Sequence, residues 1–265
     1  MDMSDEAVGV AGALVAEARL NARAKAALPA KCCPVSLRDA YAVQGNVHQR
    51  LAAAGWGGIA GHKVGCTTTV MQQYLKIDAP CAGGIFESTV MAGEGRIDRS
   101  KYCRPGVECE IAVRLGADLP ERRGGYDHAT VRPAVAAVMA SIELVDDRWD
   151  DFTAQPMAAL LADEFFGAGC VLGAEVTDWQ GLDLAALAGR MMINGGEVGA
   201  GVGGDILGHP LNALVWLADL RAGQGQPLRA GEFITLGSLV QTAWVEAGDE
   251  IIAEIDGLGR AVLKL

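Results

Sequence analysis

The sequence predicts an α+β protein with helices first and a strand-rich body after them, and three features carry that expectation. Asp5 to Ala27 is rich in Ala, Leu, Glu and Arg, with apolar residues at helical spacing. After Gly55 the texture changes to short Val-, Ile- and Gly-rich segments separated by turn residues. Within that second part, acidic residues alternate with apolar ones at the period of a strand. Residues 1–55 are therefore expected to form a helical segment and residues 56–265 a β-rich unit that carries the chemistry, the two packed as one compact body.

Leu14, Val15, Ala18 and Ala22 mark the first helix, and Pro29 to Pro34 ends it. Ser36 followed by Asp39 resembles a capping box, which predicts a second helix from Leu37 to Ala54 with Gly55 as its stop. Strands are expected near residues 58–64, 96–98, 108–115, 140–145, 169–172, 191–193, 197–201, 233–236 and 250–255. Thr130–Val138 and Leu211–Ala222 read as helices, the second opened by Pro210 in its first turn. No repeat, low-complexity tract or linker divides the chain.

Composition narrows the class of function. A chain of 265 residues, 51% of them hydrophobic, can bury a sizeable core. Its 33 acidic against 22 basic residues give a net charge of -11, which repels phosphate backbones and anionic headgroups, so neither nucleic acid nor a membrane surface is an expected partner. The longest apolar run, Ala134 to Ile142, is well short of the roughly 18 residues a spanning helix needs. The N-terminus carries Asp2, Asp5, Glu6 and Glu17 with no apolar block of signal-peptide length. Seven cysteines, odd in number and without a CxxC pair, read as free thiols in a reducing compartment, and a cytoplasmic protein is expected.

The chemistry concentrates in two places. In Val107-Glu108-Cys109-Glu110-Ile111, period two points both carboxylates to one face, where like charges repel unless a cation or a proton intervenes. Glu143 stands inside the apolar run Ser141-Ile142-Glu143-Leu144-Val145, where a lone ionised acid is costly to bury. A hard divalent ion held by these three acids is one reading. The other is an exposed edge strand with Glu108 and Glu110 solvated and Glu143 paired to Arg or Lys. In Gly61-His62-Lys63-Val64-Gly65, Lys63 shares its face with two glycines, leaving room for a ligand, and it reads either as a carboxylate-binding or proton-moving lysine or as a surface one. His62 points the other way and reads as structural.

Other signals carry nothing. Gly55-Trp56-Gly57-Gly58-Ile59-Ala60 fits a loose G-x-G-x-x-A pattern but follows a helix and opens none. Asp146, Asp147, Asp150 and Asp151 read as a solvated loop. The four histidines have no zinc-ligand spacing, and there is no G-x-S-x-G elbow.

Taken in order, Gly61-His62-Lys63-Val64-Gly65-Cys66-Thr67, Asp78-Ala79-Pro80, Glu108-Cys109-Glu110, Ile142-Glu143-Leu144-Val145-Asp146, Ala162-Asp163 with Val171-Leu172-Gly173, Leu207-Gly208-His209-Pro210 with Trp216-Leu217, and Ala230-Gly231-Glu232 with Gly237-Ser238-Leu239 form a recognisable set. It resembles the 2-keto-4-pentenoate hydratase / 4-oxalocrotonate decarboxylase family, which shares its fold with the fumarylacetoacetate hydrolases, over most of the chain beyond residue 36. The resemblance implies a mixed β-roll or sandwich with helices packed outside, assembly into a homo-oligomer, and Glu108, Glu110 and Glu143 as ligands of Mg2+ or Mn2+. It implies that Lys63 contacts the carboxylate of a small 2-oxo acid or moves protons, with Asp78 near it as an acid/base partner, and that Glu164, Phe166 and Ser238 line the substrate pocket. The activity implied is that of a lyase: a metal-dependent hydratase of a 2-hydroxy-2,4-dienoate or 2-oxo-enoate in aromatic-compound catabolism, working through a metal-stabilised enolate. The same site would serve a decarboxylase of an oxalocrotonate-like 2-oxo diacid or a C–C hydrolase of a diketone-like substrate, and a non-catalytic partner subunit is the reading from a different class.

The chain departs from this pattern twice. Asp163-Glu164-Phe165-Phe166-Gly167 stands where the family commonly has an Asp-Asn-x-Ser-like stretch, and Val240 stands where Thr often follows the Gly-Ser-Leu turn. Both changes remove polar groups that could position water or the far end of a substrate, which points to a larger or more apolar substrate or to C–C cleavage.

Overall fold

Ser4 caps the first helix, α1 (Asp5–Leu20), by accepting a hydrogen bond from the Ala7 N–H at 3.2 Å, while Asp5 and Glu6 complement the positive end of the dipole. The computed structural model describes residues 2–68, 72 and 77–265. In it α1 stops at Asn21, short of Ala27, because Ala22 enters the left-handed region and Lys25 leaves to pair with Trp149. Ser36 caps α2 (Leu37–Leu51) through the Asp39 N–H at 3.1 Å. The Asp39 carboxylate does not complete the box; it accepts from the Met3 N–H at 2.9 Å and so ties the starts of the two helices together. A wide turn over Ala52–Trp56 replaces the last expected helical turn, with Gly55 at φ +94°.

The strands are β1 (Ile59–Gly65), β2 (Cys81–Phe86), β3 (Val90–Ala92), β4 (Glu94–Arg96), β5 (Pro105–Leu115), β6 (Val135–Asp146), β7 (Gly167–Leu172), β8 (Ala188–Ile193), β9 (Gly196–Val202), β10 (Phe233–Ser238), β11 (Ala243–Trp244), β12 (Glu250–Ile255) and β13 (Gly259–Lys264). The helices α3 (Met157–Ala162) and α4 (Pro210–Gly223) complete the main elements. An eight-stranded sheet runs β2-β1-β10-β5-β6-β7-β3, with β11 on β5, and a five-stranded sheet runs β4-β13-β12-β8-β9. Both are mixed: β1 is parallel to β10, β3 to β7 and β4 to β13, and the remaining pairs are antiparallel. The α+β expectation holds.

Three local expectations do not. Thr130–Val138 makes one helical turn, His128–Val131, and then enters β6 at Val135. A continuous apolar run reads equally as a buried helix or a buried strand, and here β6 is buried on both faces and pairs with β5 along its length. The sequence reading does not anticipate β2, β3, β11 and β13; β2, with consecutive glycines and no alternation, offers no strand period. Asp146 and Asp147 are buried, not solvated, and Asp146 accepts from the Cys103 and Arg104 N–H groups at 3.2 and 2.7 Å.

Alternation along β5 and β6 decides where chemistry can occur. Val107, Cys109, Ile111, Val113, Ile142 and Leu144 face the second sheet and join Ile251, Ala253, Ala261 and Leu263 in the main core. Glu108, Glu110, Ser141 and Glu143 therefore occupy the opposite face. A second apolar cluster, built from Val15 of α1, Val43 and Val47 of α2 and Leu161 of α3 together with Cys66, Cys81 and Phe165, packs the helices beside that face. No helix among the described residues is long and apolar enough to cross a membrane.

Candidate active site

The antiparallel register of β5 and β6 sets Glu108 opposite Glu143 and Glu110 opposite Ser141. One oxygen from each of Glu108, Glu110 and Glu143 lies within 4.8 Å of the others. The exposed-edge part of the alternative fails, because β5 lies between β10 and β6 and Glu110 is only 1% exposed, but its pairing of Glu143 with a basic residue is found, in Lys63. Glu110 Oε2 accepts from the Gly237 N–H at 2.9 Å, and Glu108 accepts from the Thr242 hydroxyl. Gly237 sits at φ +118°, and a Cβ there would lie 2.1 Å from Thr67 Oγ1, so this donor turn requires glycine. Neither oxygen of Glu143 accepts a well-directed hydrogen bond among the described residues, although Oε1 forms an ion pair with Lys63 Nζ at 2.5 Å. Three converging carboxylates, two buried and one half-buried, with the lone pairs of Glu143 unfilled, fit a hard divalent cation, and an all-oxygen donor set suits Mg2+, Mn2+ or Ca2+ better than zinc or copper.

The electrostatics follow from that crowding. Burial, reinforced by the Glu143 charge, pushes Glu108 up to about 7, and burial with both neighbouring carboxylates pushes Glu110 up as well. Burial would lower the Lys63 ammonium, but the charges of Glu143 and Glu108 outweigh it and hold Lys63 above its ordinary range. A carboxyl raised by folding contributes stability that is complete below its unfolded value, about 4.3, and is lost as pH climbs through the folded value. For Glu108 that window ends near about 7. The chelated protein is therefore expected to melt at a lower temperature at about pH 8 than at about pH 5.5, with added Mg2+ raising the midpoint more at the higher pH. Differential scanning calorimetry checks this, and a midpoint that rises with pH in chelator would contradict it.

Lys63 is 3% exposed, flanked by Gly83 of β2 and Thr235 of β10. Besides Glu143, its Nζ donates to the Phe165 carbonyl at 2.9 Å. That carbonyl belongs to three successive left-handed residues, Glu164, Phe165 and Phe166, at φ +55°, +45° and +67°. Non-glycine residues rarely hold this conformation unless their surroundings impose it, and such strain clusters at functional sites.

The remaining expected site residues separate. Glu164 is fully buried, with Oε1 2.6 Å from His48 Nε2 and Oε2 accepting from the Gly84 N–H at 2.6 Å, so both oxygens are engaged within the protein. Phe166 is half-buried and packs edge-on against Phe152 and Phe165. Ser238 pairs with Glu110 across β10 and β5, but its hydroxyl donates to the Val240 carbonyl at 2.7 Å. Asp78 is exposed on the bend leading into β2, and no hydrogen bond or ion pair among the described residues joins it to the carboxylates or to Lys63. His62 lies on the opposite face, buried and 3.7 Å from Glu232.

Sequence reasoning passed over His48, Thr242 and the Phe165 carbonyl. For His48 a signal existed: Tyr41, Gln44 and His48 recur at helical spacing among the buried Ala40, Val43 and Val47, and a polar stripe on a buried helix face needs partners. Gln44 finds its own in the Ala82 and Leu161 carbonyls, both at 3.0 Å. Nothing local marks Thr242 or a carbonyl.

Comparison with known proteins assigns the chain to a family. The fumarylacetoacetate (FAA) hydrolase C-terminal family model matches residues 65–265. The 2-keto-4-pentenoate hydratase of Paraburkholderia xenovorans (strain LB400) is 35% identical over 225 residues, covering 85% of this chain and 82% of that protein. The 2-hydroxyhexa-2,4-dienoate hydratase of Comamonas testosteroni is 32% identical over 266 residues, 99% of each. Among solved structures, 4-oxalocrotonate decarboxylase from Pseudomonas putida G7, complexed with magnesium and adipate, superposes with a TM-score of 0.91 at 28% identity over 98% of both chains. This chain belongs to the fumarylacetoacetate (FAA) hydrolase C-terminal family.

Proposed function

We propose that the protein is a metal-dependent hydratase, a hydro-lyase that adds water to a 2-hydroxy-2,4-dienoate or its 2-oxo-enoate tautomer in aromatic-compound catabolism. The observation that carries this reading is the convergence of Glu108, Glu110 and Glu143 beside a buried, charged Lys63. Glu108, Glu110 and Glu143 would hold a divalent cation such as Mg2+ or Mn2+, which would supply Lewis-acid polarisation at the substrate's 2-oxygen. Lys63, kept protonated by its acidic neighbours, binds the substrate carboxylate or delivers a proton; it donates to the Phe165 carbonyl and is ion-paired with Glu143. The aromatic group Phe152, Phe165 and Phe166 offers apolar contact to the far end of a substrate.

A monoacid is favoured over an oxalocrotonate-like diacid because the cations packed around the Glu164–Phe166 turn, Arg19, Lys25 and Arg148, are committed to Asp163 at 2.9, 2.5 and 3.1 Å. Seven free cysteines support a reducing, cytoplasmic setting. A homo-oligomer would cover the apolar Val198, Val202 and Trp244, which are 50%, 43% and 40% exposed.

The test is turnover of 2-hydroxypenta-2,4-dienoate with Mg2+ or Mn2+, followed by ultraviolet absorbance and product mass. Loss of dienol absorbance with gain of one water, abolished by chelator, is the expected result. Release of carbon dioxide from an oxalocrotonate, with no hydration of the dienoate, would replace this reading with the decarboxylase.

A further inference from the structure

Glu164 has no free oxygen for a substrate, yet its burial and its strained backbone sit next to Lys63. The turn from Asp163 to Gly167 is pinned throughout. Asp163 takes ion pairs from Arg19 of α1, Lys25 and Arg148. The Gly167 carbonyl accepts from Arg19 Nη2 at 2.8 Å and Arg148 Nη2 at 3.3 Å. Between these ends, Glu164 is gripped by His48 of α2 and the Gly84 N–H of β2. The missing side chain at Gly83 brings turn and lysine together: a Cβ there would lie 3.0 Å from both the Glu164 carbonyl oxygen and Oε2, and 3.1 Å from Lys63 Cγ.

We infer that Glu164, held by His48, is a positioning residue for Lys63: the pair fixes the left-handed turn whose Phe165 carbonyl aims the lysine ammonium at the site. The inference rests on the function proposed above only for its activity readout. The ammonium donates to the Phe165 carbonyl and is ion-paired with Glu143, and these two contacts set its direction. Releasing the turn removes the first of them and lets the four-carbon stem of Lys63 reorient, and small misplacements of a catalytic group cost large factors in rate. The helices α1 and α2 acquire a role here that packing alone does not require of them, since Arg19 and His48 both act on the turn.

Glu164→Ala, Glu164→Gln and His48→Ala test this on three readouts: turnover of the dienoate, Mg2+ affinity by titration calorimetry, and the rate at which acetic anhydride modifies Lys63 in the metal-free protein, mapped by mass spectrometry. Glu164→Ala is expected to lower kcat/KM by about 10- to 100-fold and to speed Lys63 acylation by about tenfold, with Mg2+ affinity within about threefold of wild type. Glu164→Gln keeps an oxygen for the Gly84 N–H and an N–H for a neutral His48, and is expected to rescue most of the activity and the protection. His48→Ala should fall between, and the double variant should be no worse than Glu164→Ala alone. Glu164→Gln as inactive as Glu164→Ala with Lys63 still protected would overturn the inference in favour of proton transfer by Glu164 itself. Full protection of Lys63 in Glu164→Ala would also overturn it, and if that variant fails to fold, protection in His48→Ala decides in its place. A wild type that leaves the dienoate untouched would defeat the functional reading, while Lys63 protection would still report on the clamp.

Discussion

Glu143→Ala is expected to abolish tight Mg2+ binding and to lower kcat/KM by at least about 10^3-fold, the equivalent of losing the several kcal/mol that a Lewis acid contributes. Glu143 is singled out among the three acids because it alone has both oxygens without a hydrogen bond among the described residues, whereas Glu108 and Glu110 are partly satisfied by Thr242 and Gly237. Its removal also deprives Lys63 of its ion pair and leaves Glu108 and Glu110 as the acidic neighbours of the lysine. The lysine is then drawn toward a remaining carboxylate of the proposed centre, which compounds the expected loss. Glu143→Gln preserves shape and should fail in the same way, because the amide removes the charge that a hard cation requires. Calorimetric titration with Mg2+ alongside turnover measures both effects. A Glu143→Ala protein that binds Mg2+ like wild type would refute the assignment of the centre.

Asp163→Asn is expected to destabilise the protein by about 3–5 kcal/mol, a fall of roughly 10 °C in the melting midpoint for a chain of this size. Arg19, Asp163 and Arg148 are nearly inaccessible and Lys25 little more exposed, so removing the carboxylate charge leaves three cations around a neutral group. Burial alone would raise the Asp163 carboxyl, but Arg148, Lys25 and Arg19 outweigh it and hold it well below the usual carboxylate range. The sign of the pH dependence follows. The contribution is complete above the unfolded value, about 3.9, and is lost as pH falls through the depressed folded value. Wild type should therefore shed this stability only below about pH 4, and Asp163→Asn should lack that part of the acid transition. Thermal melts from about pH 3 to about pH 7 check both statements. A loss below about 1 kcal/mol at neutral pH would mean that Asp146, already 3.6 Å from Arg148, takes over the cations.

These two experiments probe parts of the molecule that differ in how visible they were beforehand. The acids at 108, 110 and 143 could be singled out because burying a charge in an apolar strand is costly wherever that strand lies. The cap at Ser36 could be read because the residues that satisfy a helix start are adjacent to it. The Asp163 hub could not: its partners come from α1, from the segment just after it and from the loop that follows β6, and each looks like an ordinary surface charge in sequence. Asp146 and Asp147 were misread for the same reason, since a charge run is solvated unless backbone N–H groups from elsewhere meet it.

Local pattern was enough to establish an α+β chain, two carboxylates on one face of a strand, a third inside an apolar run and a lone lysine between glycines, because period and adjacency act over a few residues. Tertiary structure alone decided that Glu108 faces Glu143, that Lys63 reaches Glu143 across the order β1-β10-β5-β6, and that Glu164 turns away from the site to grip His48, 116 residues distant in the chain. Register and strand order depend on the summed burial of both sheets, and a strained turn persists only where distant partners impose it, so neither is written in any short stretch of sequence.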